Sequence, residues 1–209
     1  MLCGVREILT VVLALTCAGA AVSGGEVECP DGATLRGKQP PRGHKQWCAR
    51  PDGTQHGPSV SWYPSGEKRS EAHFRDGELE GPLRQWHESG RLAEEGSYAA
   101  GLLEGRYRSW YESGQLQVEQ AYRGGLAHGP AHVYHPSGAK RLVESFANGK
   151  KHGSAVSYFE NGRKESEGEF REGEFHGTWR GWYEDGSPRR IVTFDRGAKI
   201  TEEIFPPKP

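Results

Sequence analysis

Nine histidines in a chain of 209 residues are the first candidates for chemistry, because neutral imidazole is a common metal ligand. His56, His128, His152 and His176 each precede a glycine, and His132-x-x-His135 forms a close pair. The separations of the first four are multiples of 24 residues, which ties them to a repeat rather than to one centre. If each period is a β-hairpin, equivalent positions stand two strands apart, about 9.5 Å at the usual strand spacing. A metal holds its nitrogens at about 2.1 Å, so these histidines cannot share one ion. His132 and His135 differ by an odd number and point to opposite faces of a strand. No metal and no cofactor is expected.

Nucleophilic or acid–base chemistry finds no better footing. The serines mostly precede turn glycines, and the glutamates recur on the same period as surface charges. The chain has no G-x-S-x-G, no P-loop and no dinucleotide fingerprint. A non-enzymatic protein is expected. The remaining constellation is aromatic and cationic: Trp62, Trp86, Trp110, Tyr134, Tyr158 and Trp182 fall every 24 residues, with Arg84, Arg108 and Arg180 two residues before a tryptophan. Aromatics with arginine between them can stack on peptide side chains, sugar rings or lipid headgroups. The alternative is that each ring packs on its neighbours while arginine stems cover it.

The positioning elements follow from the period. Glycines recur at Gly57, Gly81, Gly105, Gly129, Gly153 and Gly177, six copies without insertion or deletion. Turn glycines follow at Gly66, Gly90, Gly114, Gly138, Gly162 and Gly186. A second aromatic column is Phe74, Tyr98, Tyr122, Phe146, Phe170 and Phe194. Two strand-like runs per copy, separated by Ser-Gly, Asn161-Gly162 or Asp185-Gly186, predict a hairpin closed by a two-residue turn with positive φ at both positions. Partners of the first hairpin then sum to 131, placing Gly57 opposite Phe74, Arg84 opposite Glu95 and Arg108 opposite Glu119. In this reading the glycine is bare because the facing ring lies across it.

The expected fold is all-β: an elongated, single-layer antiparallel meander of six 24-residue hairpin repeats, roughly twelve strands, stabilised neighbour to neighbour. One face should carry these glycines, the Phe74 column and a column of Tyr63, His87, Tyr111, His135, Phe159 and Tyr183. The other should carry the Trp62 column beside Val60, Arg84, Arg108, His132, Val156 and Arg180. Composition agrees, with 30 glycines, 13 prolines and 34% hydrophobic residues, too little apolar mass for a thick core. The balance of 27 Lys+Arg against 28 Asp+Glu gives no electrostatic case for nucleic acid or an anionic membrane as partner.

The ends differ from the repeat. Residues 1–20 read as a secretory signal peptide, with an apolar run Ile8–Leu15 and small residues Ala18-Gly19-Ala20 at the cleavage site. This predicts export to a periplasm, cell envelope or exterior, with acylation of Cys17 as a weaker alternative. Loss of the leader leaves Cys29 and Cys48, an even pair expected to form a disulfide. Residues 21–55 then form a stapled N-terminal cap, residues 56–197 the repeats and residues 198–209 a C-terminal tail whose prolines block edge pairing.

The stretch HGPSVSWYPSGEKRSEAHFRDG (56–77) and its five successors, with HGSAVSYFENGRKESEGEFREG (152–173) nearest the pattern, resemble MORN-repeat proteins of the variant class often labelled the YwqK-family antitoxin type. The resemblance implies a twisted sheet of consecutive hairpins with a groove along one side. It also implies an interaction or scaffolding module, some members of the class binding lipid headgroups. The antitoxin label does not suit an exported chain and is not carried over. The expected partner is therefore another protein met on the Trp/Arg face. A glycan, a lipid headgroup or no ligand at all, as in a structural spacer, stand as alternatives.

Overall fold

The computed structural model describes residues 27–208; the leader assigned to residues 1–20, with Cys3 and Cys17, lies outside them. Among the described residues the strands form one antiparallel sheet of sixteen, neighbours pairing in chain order except that the short fifth strand pairs only with the fourth, which also pairs with the sixth. A cap hairpin, β1 (Thr34–Lys38) and β2 (Lys45–Ala49), opens the sheet. The repeats supply β3 (Gln55–Trp62) and β4 (Lys68–Arg75), then β5 (Glu78–Leu79), β6 (Gly81–Trp86) and β7 (Leu92–Ala99). β8 (Leu102–Trp110), β9 (Leu116–Arg123), β10 (Leu126–Tyr134) and β11 (Lys140–Ala147) follow. β12 (Lys150–Tyr158), β13 (Lys164–Arg171), β14 (Glu174–Trp182) and β15 (Pro188–Asp195) complete the six copies. The segment expected as a tail supplies one more strand, β16 (Ala198–Ile204), before the prolines. No helix occurs among the described residues.

The register within each repeat is the expected one. Gly57 faces Phe74, Gly81 faces Tyr98 and Gly177 faces Phe194. The turn chemistry is different. Tyr63 accepts from the Gly66 amide and donates to the Glu67 carbonyl, at 2.9 and 2.8 Å, a three-residue loop in which glycine alone has positive φ, +94° at Gly66. Asn161 and Asp185 accept from their own backbone two residues on, at the Arg163 and Ser187 amides, instead of turning left-handed. The extra loop residue is cancelled by a bulge, because pairing shifts between Ser61–Ser70 and Trp62–Lys68. The two-residue turns with positive φ at both positions sit between repeats, at Asp76-Gly77, Gly124-Gly125 and Asn148-Gly149 among others.

The reason for the repeated glycine also changes. A Cβ added at Gly81, Gly105, Gly129 or Gly177 would meet nothing within 4 Å, so no ring lies across these positions. Each has positive φ, from +65° to +82°. Each sits in a bulge: Ala127 pairs with Tyr122 and Ala131 with Gln120, leaving three residues centred on Gly129 opposite one. Such a bulge needs a left-handed residue and sharpens the local twist. Ring coverage of a glycine does occur elsewhere, at Gly168, where a Cβ would lie 2.2 Å from the Trp179 ring.

Burial is thin and unequal. Among the described residues, one buried hydrophobic cluster joins Val27, Cys48 and Val60, with Cys29, Ala33 and Trp62 against it, and the Cys29–Cys48 disulfide staples it to β2. Beyond it, Ala131, Ala155 and Val192 are buried on the glycine face. Two buried polar groups there have partners: Lys151 reaches Glu144 at 2.7 Å, and the Gln120 amide donates to the Ala121 carbonyl.

Candidate functional site

The Trp/Arg face is ordered by one row of cross-strand partners. Val60 faces Glu71, Glu71 faces Arg84, Arg84 faces Glu95, Glu95 faces Arg108, and Arg108 faces Glu119, which faces His132. Alternating charges in direct opposition stabilise a sheet by a few tenths of a kcal/mol to about 1 kcal/mol per pair. Arg108 is held from both sides, by Glu95 at 3.1 Å and Glu119 at 3.6 Å, and Arg106 shares Glu119 at 3.1 Å. Arg84 and Arg180 are exposed and make no ion pair among the described residues. A shallow depression of about 140 Å³ lies among Pro82, Arg84, Glu95, Arg106 and Arg108.

The aromatic column runs beside this row. Trp62, Trp86, Trp110, Tyr134, Tyr158 and Trp182 are all half-buried, but their surroundings differ. Trp62 belongs to the cap cluster. The Lys68 ammonium stands over the Trp86 ring at 5.3 Å while paired with Glu71. His132 stacks on Tyr134 with ring centres 6.5 Å apart. The column and the arginines thus share one surface, with Trp62 and Arg108 engaged in structure and Arg84 and Arg180 open to solvent.

Three features escaped the sequence reading. The Tyr63 column is a ladder of ring-to-backbone hydrogen bonds: Tyr63 and Tyr111 donate to the Trp86 and Tyr134 carbonyls at 2.8 Å. His87 and His135 reach the Trp110 and Tyr158 carbonyls at 3.0 Å through Nε2, and Tyr183 donates to the Phe205 carbonyl. A polar ring tip at five of six positions was the available signal. Second, the residue before the repeated glycine serves the inter-repeat turn. Glu80 and Glu104 accept from the Ala100 and Gly124 amides at 3.1 and 2.7 Å, and His56 and His152 lie 3.2 and 3.3 Å from Asp76 and Glu172. These histidines lie in strands β3 and β12 and brace the adjacent turn from there.

The third feature is an aromatic cluster in the last two repeats. Phe175 stacks on Phe194 at 5.0 Å and meets Trp179 edge-on at 4.8 Å, with Phe170 closing the group. A cleft of about 300 Å³ opens there, lined by Phe175, Trp179, Val192, Phe194 and Arg190. Trp179 stands outside the tryptophan column, the only mark of it in the sequence. Burial lowers the His73 pKa, with His56 and Arg75 adding to it. Burial also raises the Tyr98 and Tyr107 pKa values, with Glu94 adding to both. Among the described residues no group of three or more His, Cys, Asp or Glu is placed to hold a metal ion.

The model of the MORN repeat variant family matches residues 55–76, 79–100, 103–123, 151–172 and 175–196. The chain belongs to the MORN repeat variant family. The copy between the third and fourth matches forms the same hairpin, β10–β11, in the same register. Family membership thus covers the hairpin repeats and describes a repeat module. No curated protein matches the chain significantly. Among solved structures, the crystal structure of the GtfA/B complex bound to UDP and GlcNAc is similar at 16% identity, over 65% of this chain and 24% of that one, with a TM-score of 0.21. This MORN chain therefore spans about a quarter of that protein, and at that score the likeness carries no argument.

Proposed function

We propose that this MORN repeat chain is a non-enzymatic scaffold that engages another protein through its Trp/Arg face, at the cell envelope or outside the cell. The observation that carries the reading is an exposed, unpaired Arg84 beside the half-buried Trp86. Half-buried aromatics flanked by arginine are the side chains that dominate protein interfaces. Export is supported by the Cys29–Cys48 disulfide, which persists in oxidising compartments, and by the leader-like residues 1–20.

A photocrosslinking amino acid placed at Arg84, and separately at Ser166 on the opposite face, tests the reading in the native compartment. One discrete adduct from position 84, lost in a folded Trp86→Ala/Trp110→Ala variant, is expected. Equal adducts from both faces, or an adduct that survives the double substitution, refute the site. Adducts only to glycan or lipid would move the function to that class.

A further inference from the structure

A second surface lies at the N-terminal edge of the sheet and on the opposite face. Between Asp31 and Asp52 the chain carries Arg36, Lys38, Arg42, Lys45 and Arg50 and not one carboxylate, although the whole chain has 27 Lys+Arg against 28 Asp+Glu. Arg50 is paired with Asp76; Arg36, Lys38, Arg42 and Lys45 have no ion pair among the described residues. The register gathers them. Arg36 faces Trp47, and Lys38 faces Lys45, while Trp47 faces Ser59 and Lys45 faces Ser61. One face of the cap therefore presents Lys38, Lys45, Ser61 and Ser70 in one row and Arg36, Trp47 and Ser59 in the next. Lys45 stands 5.4 Å from the Trp47 ring centre, and the Ser61 and Ser70 hydroxyls meet at 2.6 Å.

Two properties set this hairpin apart. Like charges directly opposite destabilise a strand pair, yet Lys38 and Lys45 occupy such a pair. In addition, β1 is one of the two edge strands of the sheet, exposed along its whole length, with a row of unpaired backbone groups. Leu35, on the other face, is 45% exposed. Lysines on an edge can serve only to repel other strands, but repulsion does not require a facing pair or the adjacent arginine.

We propose that β1 accepts an extended acidic segment of a partner protein as an added strand. Side chains on one face of that strand recur every second residue, about 6.8 Å apart, which matches Arg36 and Lys38. The segment therefore carries carboxylates at alternate positions and apolar residues between them, one of which covers Leu35. Backbone hydrogen bonds supply the affinity and the charge row sets register and partner choice.

The test uses the full disulfide-bonded chain and a fluorescent octapeptide of alternating Glu and Val, read by anisotropy at low and raised ionic strength. Binding is expected, weakened by salt and by roughly tenfold or more in Arg36→Glu/Lys38→Glu, because two exposed attractions become repulsions. The same variant should gain affinity for an alternating Lys-Val peptide. Amide protection along β1 in the unmodified chain should rise when the Glu-Val peptide is added, a readout that needs no variant. Unchanged affinity after charge reversal overturns the proposal. So does equal binding of a peptide N-methylated at alternate residues, or binding of heparin where the peptide fails.

Discussion

Gly105→Ala and Gly168→Ala separate two reasons for a glycine. Gly105 has φ of +78° and open space around a would-be Cβ. Alanine there meets only the left-handed penalty, about 1–2 kcal/mol. Asn tolerates this region better than alanine, so Gly105→Asn should cost about half as much. Gly168 has an ordinary φ, but its Cβ would lie 2.2–2.5 Å from three ring atoms of Trp179. That ring is anchored by its Nε1 donating to the Glu169 carbonyl at 3.0 Å, so the clash should cost about 1–3 kcal/mol as an overpacking change. Urea denaturation of the single and double variants reads both. Gly105→Ala combined with Tyr122→Ala should be additive within about 0.5 kcal/mol, since a methyl at Gly105 would touch no atom of the facing ring. Gly168→Ala combined with Trp179→Ala should couple by more than about 1 kcal/mol, because removing the ring makes room for the methyl. If Tyr122→Ala rescues Gly105→Ala, ring coverage governs the repeated glycine and the bulge argument fails.

Three further outcomes follow from the same geometry. Replacing Cys29 and Cys48 by serine opens a link between residues 19 apart and should lower stability by about 3 kcal/mol, seen as a lower urea midpoint than the oxidised chain. Tyr111→Phe removes the donor to the Tyr134 carbonyl and should cost about 0.5–1.5 kcal/mol, while Phe159→Tyr, which restores the ladder pattern, should raise the melting temperature. His73 has a folded pKa below its ordinary value, so the unfolded chain binds the proton first as pH falls below about 6.5. Stability should therefore drop from pH 7 toward pH 5 more in the natural chain than in His73→Gln, and equal drops would show that His73 contributes nothing.

Much of this molecule was legible in the order of its residues. A period of 24 with glycine and aromatic columns in phase dictates hairpins, chain-order pairing and the opposition of Gly57 to Phe74 or Arg108 to Glu119, because these depend on spacing alone. The sharing of one surface by Trp86 and Arg84 follows from strand parity and needed no coordinates. The cap disulfide was equally readable from two cysteines. What residue types could not disclose was the sign of a backbone angle. Whether Asn161-Gly162 or Glu172-Gly173 turns left-handed at both positions is decided by which loop must be closed by two residues and which by three. That depends on bulges, and a bulge exists only relative to the neighbouring strand.

The same holds for the candidate surfaces. Arg84 and Arg108 are equivalent in sequence, yet Arg108 is clamped by Glu95 and Glu119 while Arg84 is left to solvent. Trp179 becomes part of an aromatic cluster only because Gly168 on the adjacent strand leaves room for it. Sequence periodicity fixes what faces what along a ribbon. Tertiary structure alone decides which of those equivalent groups keeps a free hydrogen bond or an open face, because that depends on side chains contributed from the strands on either side.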